Sequence, residues 1–299
     1  MTIFPLMTRT RKKRHHSNPW STQLDDIIRG ASGGFLFGTP LLYTMEVWWI
    51  GSQISTPIML VILVITFLVV FLLNRTAGFR KTKSKKLVDN LIDSVEAMTI
   101  GIVCASLLLV LLKEIQVGTS LNEALGKIIL ESVPFALGAA LADGFLSGDR
   151  WSFSDSEDDS KQSESDRLNS TLSDIGATLI GATIIAFNIA PTDEIPLLNA
   201  AISPPELLAI IIASLLISYV IVFEAGFTTQ QKRQQQQGIF QRPSSETVAS
   251  YLISLVAAAC MLFFFNRLTF EDPWTLWLSY TIILGLPASI GGAAGRIAI

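Results

Sequence analysis

The chain has 299 residues, of which 50% are hydrophobic and 16% charged, against about 25% charged in an ordinary soluble domain. That excludes a soluble globular protein. The absence of a phosphate-cradling glycine loop, a paired-histidine metal motif or a nucleophile elbow gives no footing for an enzyme, a cofactor or a resident metal.

A helix needs roughly 20 predominantly apolar residues to cross the hydrocarbon core. Eight segments meet that need: 30–50, 57–74, 92–112, 124–145, 171–190, 206–226, 247–266 and 274–295. The fold class is therefore all-α, a polytopic transmembrane helix bundle of about eight spans. The net charge of −3 conceals a strong asymmetry, because of 22 Lys and Arg residues only Lys113, Lys127 and Arg267 lie on the side opposite the N-terminus. Basic residues stay cytoplasmic in multi-pass proteins. Both termini are thus expected in the cytoplasm, and the protein in a bacterial cytoplasmic (inner) membrane.

Residues 1–29 form a basic cytoplasmic arm in which Arg11–Arg14 would sit near anionic lipid headgroups. They lack the apolar core of a secretory signal, so the first span is expected to act as its own insertion signal. That span opens Gly30-Ala-Ser-Gly33-Gly34-Phe-Leu-Phe-Gly38-Thr-Pro40. Gly30, Gly34 and Gly38 share one face and permit close helix contact. Pro40 frees the carbonyl of Leu36. Two readings follow: a kinked packing helix, or a discontinuous helix whose free backbone groups face a ligand. Pro134 and Pro287 pose the same choice. Trp48, Trp49, Trp274 and Trp277 fall at outer span ends, as interfacial anchors do.

After the second span, Lys81–Lys86 form a second cluster suited to anionic lipid headgroups. Asp89, Asp93 and Glu96 follow at i, i+4, i+7 and make one acidic stripe at the inner end of the third span. Residues 146–170 are an acidic, Ser-rich loop, expected to be disordered and cytoplasmic. Gln234–Gln237 make a polar connector in the next inner loop. Cys104 and Cys260 lie in apolar spans, where cysteine packs as a small hydrophobe.

The chain also repeats itself. Residues 44–79 align without a gap on 192–227, with Thr44-x-Glu46 on Thr192-x-Glu194 and Ser55-x-Pro57 on Ser203-x-Pro205. Further on, Asp93-Ser94-Val95 meets Glu246-Thr247-Val248, and Pro134-x-x-x-Gly138 meets Pro287-x-x-x-Gly291. Residues 30–145 and 171–299 would then be two parallel four-span units. An even number of spans keeps both in one orientation.

Carboxylates inside a bilayer are costly, so they usually face protein or water and often serve a pathway. Glu46, Glu131 and Glu194 lie in the outer half. Asp93, Glu96, Asp143, Asp174 and Glu224 lie toward the inner side. Glu46, Glu131 and Glu194 are the candidate ion or proton pathway. Asp143 and Arg296 occupy equivalent positions in the repeat and are a candidate charge pair at the inner ends of their spans.

The run Gly30-Ala-Ser-Gly-Gly-Phe-Leu-Phe-Gly-Thr-Pro-Leu-Leu-Tyr-Thr-Met-Glu46-Val-Trp-Trp, with Glu131-Ser-Val-Pro134-Phe-Ala-Leu-Gly138 later, resembles a family of bacterial integral membrane proteins of about this length. The resemblance runs from residue 24 onward and implies a membrane location without an established activity. Taken together, these features lead to transport or permeation of a small cation or proton through membrane carboxylates. The alternative is a non-transporting scaffold or sensor that signals through its cytoplasmic loops. Nothing points to nucleic acid, and the sequence does not set an oligomeric state.

Overall fold

The computed structural model describes residues 19–76, 87–146, 164–225 and 243–298. The segments Arg11–Arg14, Lys81–Lys86 and Gln234–Gln237, and most of the acidic loop, lie outside these residues. The described residues are helical, in the order α1 (Pro19–Leu42), α2 (Met45–Gln53), α3 (Thr56–Thr76), α4 (Leu87–Leu111), α5 (Leu121–Leu146), α6 (Glu164–Ile189), α7 (Glu194–Ala201), α8 (Pro204–Tyr219) ending in a π turn (Val220–Glu224), α9 (Pro243–Phe264) and α10 (Trp274–Ala298).

Seven of these helices are long and apolar enough to cross a membrane, with α8 and its π turn counted as one. The missing eighth is the expected span 30–50. It is not one helix, because the chain breaks at Tyr43 and Thr44 between α1 and α2. The helix before the break begins at Pro19, inside the segment read as a basic arm, and carries Asp25, Asp26 and Arg29. That charge makes α1 less apolar than its neighbours, although its length is ample for a crossing.

Each half is built on one close crossing. A Cβ on Gly33 would stand 2.5 Å from the Gly138 carbonyl oxygen, and one on Gly138 would stand 2.4 Å from the Gly33 oxygen. In the second half, a Cβ on Gly181 would meet the Gly291 oxygen at 2.1 Å, and one on Gly291 the Gly181 oxygen at 2.5 Å. Lipid supplies no hydrophobic drive between helices, so such backbone contact is what holds α1 to α5 and α6 to α10. In the first half the glycine that meets backbone on α5 at the Gly138 crossing is Gly33, off the Gly30–Gly34–Gly38 stripe. Gly34 and Gly38 instead face Phe135.

The proline expectation needs a correction. Pro134 and Pro287 sit inside uninterrupted helices. The breaks occur elsewhere, after Leu42 and after Ile189, where α6 gives way to the short α7. The turns after α4 and α9 are also alike. Lys113 and Asn266 both take positive φ, at 64° and 57°. The following amides close back on the helix, Glu114 N–H donating to Leu109 O at 2.9 Å and Arg267 N–H to Leu262 O at 2.8 Å.

Among the spans, α10 and α5 are the most buried and α3 the least, so α3 is the most lipid-exposed span. The halves meet where α1 touches α10 and the π turn, and where α4 touches α8. Substituting Gly138→Val should lower stability by about 1–3 kcal/mol, the usual cost of overpacking. Gly176→Ala should cost nothing, since no atom lies within 4 Å of the added methyl. Thermal unfolding in detergent measures both, and equal melting temperatures would be the contrary result.

Candidate functional site

The two breaks face one another. Between them lies a cavity of about 600 Å³, lined from the first half by Pro40, Tyr43, Thr44, Met45 and Glu46 and from the second by Asn188, Ile189, Thr192, Asp193 and Glu194. These two stretches are the ones that align in the sequence repeat. The cavity thus brings together two of the three pathway carboxylates, Glu46 and Glu194. The third does not join them. Glu131 is fully buried, lines none of the cavities described, and its Oε1 has no hydrogen-bond partner among the described residues.

Glu46 is exposed at the first turn of α2, whereas Glu194 is 95% removed from solvent, its relative exposure being 5%. Glu194 links the halves. Its Oε1 accepts a hydrogen bond from the Met45 amide at 3.3 Å. Met45 opens α2, so the carboxylate sits at a helix N-terminus, where unpaired amides favour negative charge. Its Oε2 has no partner among the described residues.

The breaks themselves are well satisfied. Trp48 Nε1 donates to Leu42 O at 2.8 Å and so closes the end of α1. Trp48 is therefore a buried structural residue rather than an interfacial anchor; Trp49 and Trp274 are exposed as anchors should be. Tyr43 donates its hydroxyl to Ile283 O at 2.9 Å, the carbonyl that Pro287 leaves without its helical amide. Arg267 closes the second break by donating to Pro191 O, and its NH1 pairs with Asp193 at 2.8 Å.

Two further cavities continue from this one. A space of about 520 Å³ shares Met45 and Glu46 with it and adds Trp48, Trp49, Glu114, Glu123 and Lys127. A third, of about 420 Å³, shares Glu114, Glu123 and Lys127 and ends at Lys113. Five carboxylates and two ammonium groups line the series. Both ammonium groups are paired. Lys127 lies 3.2 Å from Glu114 and 3.1 Å from Glu123, and Lys113 lies 2.6 Å from Glu206. The three basic residues that broke the sidedness pattern, Lys113, Lys127 and Arg267, are thus each held by a neighbouring carboxylate.

At the other end of the molecule, the proposed Asp143–Arg296 pair falls partly outside the described residues, and the described partners of Arg296 are others. Arg296 is buried and pairs with Glu246, and its NH1 donates to Ser250 Oγ at 3.0 Å. Its guanidinium also lies 5.7 Å from the Phe223 ring centre. The Asp143 side chain lies outside the described residues. Arg29, also buried, donates from Nε to Ala225 O at 3.1 Å and ties α1 to the end of the π turn. Sequence reasoning missed both roles. The signal was the rarity of arginine within long apolar helices.

With this geometry in hand, the comparison with known families is decisive on membership. Residues 26–299 match the family described as "Putative integral membrane protein (DUF2391)". The chain belongs to that family. Neither the comparison with curated proteins nor that with solved structures returned a match. The molecule is an integral multi-pass membrane protein with helices in contact with the lipid bilayer.

Replacing Lys127 by Met would leave two carboxylates without their cation at a site nine-tenths removed from solvent. The expected loss is roughly 3–5 kcal/mol of stability. Lys113→Met, at a pair about one-third exposed, should cost about 1 kcal/mol or less. Thermal unfolding in detergent ranks the two, and the reverse order would contradict this account.

Proposed function

We propose that this protein binds a small cation or a proton and moves it across the membrane, with Glu46 and Glu194 as the groups that take it. The observation that carries the reading is the shared cavity at the two helix breaks, with both carboxylates in its wall. Carboxylate oxygens are what hard cations bind. Of the two carboxylates, Glu194 has an oxygen with no hydrogen-bond partner among the described residues and also borders the cavity. The acidic excess along the adjoining cavities would raise the local concentration of cations. The chemistry asked of the site is binding and release, not catalysis.

The same proposal includes duplication. The two halves are one unit used twice, related by a pseudo-two-fold axis along the membrane normal. Matching breaks, matching glycine crossings and matching positive-φ turns support it. The basic bias of the sequence supports cytoplasmic termini in a bacterial inner membrane. The ion pairs of Lys113, Lys127 and Arg267 support that orientation, since paired cations weigh little in it.

Purified protein in liposomes should carry a cation or proton flux above that of empty liposomes. Glu194→Gln should reduce it by about tenfold or more, in line with loss of a group that takes up the ion. Glu46→Gln should reduce it less, and Glu131→Gln should leave it. Flux indistinguishable from empty liposomes over several cations and pH gradients would overturn the proposal.

A further inference from the structure

The cavity between the breaks ends at Tyr43, and a second polar space lies beyond it in the second half. Six polar side chains line it, Ser218, Thr247, Ser250, Tyr251, Ser289 and Arg296, together with Val222 and Ala293. Its free space is about 10 Å³, close to what one water molecule needs. Ser218 Oγ and Tyr251 Oη both border it, and both residues are 95% removed from solvent at 5% exposure. Ser218 Oγ has no hydrogen-bond partner among the described residues, and the Tyr251 hydroxyl has only the Ser214 hydroxyl beside it. Buried hydroxyls without partners are uncommon and are usually answered by ordered water. One water bridging Ser218 and Tyr251 gives the first its partner and completes the hydrogen bonding of the second.

The two spaces adjoin the same stretch of α10. Tyr43, in the wall of the large cavity, bonds to Ile283 O. Tyr251 reaches Gly285, where an added Cβ would stand 3.8 Å from its hydroxyl. The two tyrosines are electrostatic neighbours. From Tyr251 the small cavity leads to Arg296 and its partner Glu246, which is half-buried at the first turn of α9.

We propose that the ion this protein moves is the proton, and that it reaches the end of the bundle bearing the termini through a water held between Ser218 and Tyr251. The inference rests on the cation reading above and narrows it. Space for one water passes a proton along hydrogen bonds. A sodium or potassium ion would have to shed its hydration and pass the fixed guanidinium of Arg296. A divalent ion has no better footing, since the described residues hold no group of three His, Cys, Asp or Glu side chains placed for a metal.

In this route the proton is taken up by the Glu194 carboxylate. The Tyr43 hydroxyl turns from Ile283 O toward Tyr251, and each hydroxyl and the water accept one proton as they release another. The Glu246 carboxylate, paired with Arg296 at the end of the small cavity, accepts the proton and then releases it; each carboxylate is neutral while it holds the proton, and the hydroxyls and the water gain no net charge. Among the described side chains, Asp25, Asp26 and Arg29 on α1, Asp174 on α6 and Glu224 at the end of the π turn are charged groups on elements packed around this exit.

The test uses full-length protein in liposomes with an internal pH dye, and separate sodium and potassium flux measurements. Wild-type protein should dissipate a pH gradient and leave sodium and potassium gradients intact. Tyr251→Phe should slow proton flux by about tenfold, Ser218→Ala should slow it several-fold, and Tyr280→Phe, at the opposite end of α10, should leave it unchanged. All three variants should elute as single species with wild-type melting temperatures, which separates lost conduction from lost folding. Sodium or potassium flux with no proton flux overturns the proton inference and leaves the cation reading standing. Proton flux insensitive to both Tyr251→Phe and Ser218→Ala overturns the route. No flux of any ion overturns both readings together.

Discussion

Where Gly33 crosses Gly138 and Gly181 crosses Gly291, each glycine carbonyl occupies the space a neighbouring Cβ would need. Little else can hold two helices so close in lipid, because side chains gain nothing by leaving hydrocarbon for a protein interface of similar polarity. The rest of the architecture follows from these two contacts. They lay α1 along α5 and α6 along α10, and they fix the height at which α1 and α6 stop. The short helices α2 and α7 then resume beyond the breaks, α2 against α5 and α7 against α10. A further close contact, where a Cβ on Gly126 would stand 2.0 Å from the Gly51 carbonyl oxygen, holds α2 to α5 beyond the first break.

A break in a membrane helix exposes backbone groups that lipid cannot satisfy. This protein answers with long polar side chains drawn from elsewhere in the fold. Trp48 caps Leu42 O, Tyr43 serves the carbonyl freed by Pro287, Arg267 serves Pro191 O, and Arg29 serves Ala225 O beyond the π turn. Two of these bonds, from Tyr43 and Arg29, cross from one half to the other. Much of the intramembrane polarity is therefore structural. That sharpens the meaning of Glu194, which has one oxygen without a partner among the described residues while the other accepts from the α2 terminus.

The spans were legible in the sequence because length and apolarity decide them, and the helices extend or trim the expected ranges by a few residues. The break after Leu42 was half legible. Pro40 marked the place, but apolar residues on both sides hid the interruption. The helix α7 was not legible, because eight residues (Glu194–Ala201) are too few for periodicity to register. The separation of Glu131 from the cavity of Glu46 and Glu194 was not legible either, because depth along the chain says nothing about which way a side chain points. The Glu246 partner of Arg296 was not legible, because the repeat points to the equivalent position Asp143 and carries no signal for the packing of α9 on α10.

The departures from symmetry bear most directly on what the two halves do. Under the sequence alignment of the halves, Ser218, Ser250, Tyr251 and Ser289 correspond to Val70, Ala97, Met98 and Ala136. Val70, Ala97 and Ala136 are buried in the apolar core, and Met98 packs against it. Thr247, Glu246 and Arg296 meet polar residues as well, Ser94, Asp93 and Asp143, so the difference between the halves lies in these four hydroxyls. Buried hydroxyls destabilise a membrane bundle unless they are bonded, so selection for stability alone would favour the apolar version in both halves. On the proposed proton route, their place around one arginine–glutamate pair would make the second half the way through, while the first half would supply one wall of the cavity and the hydroxyl of Tyr43.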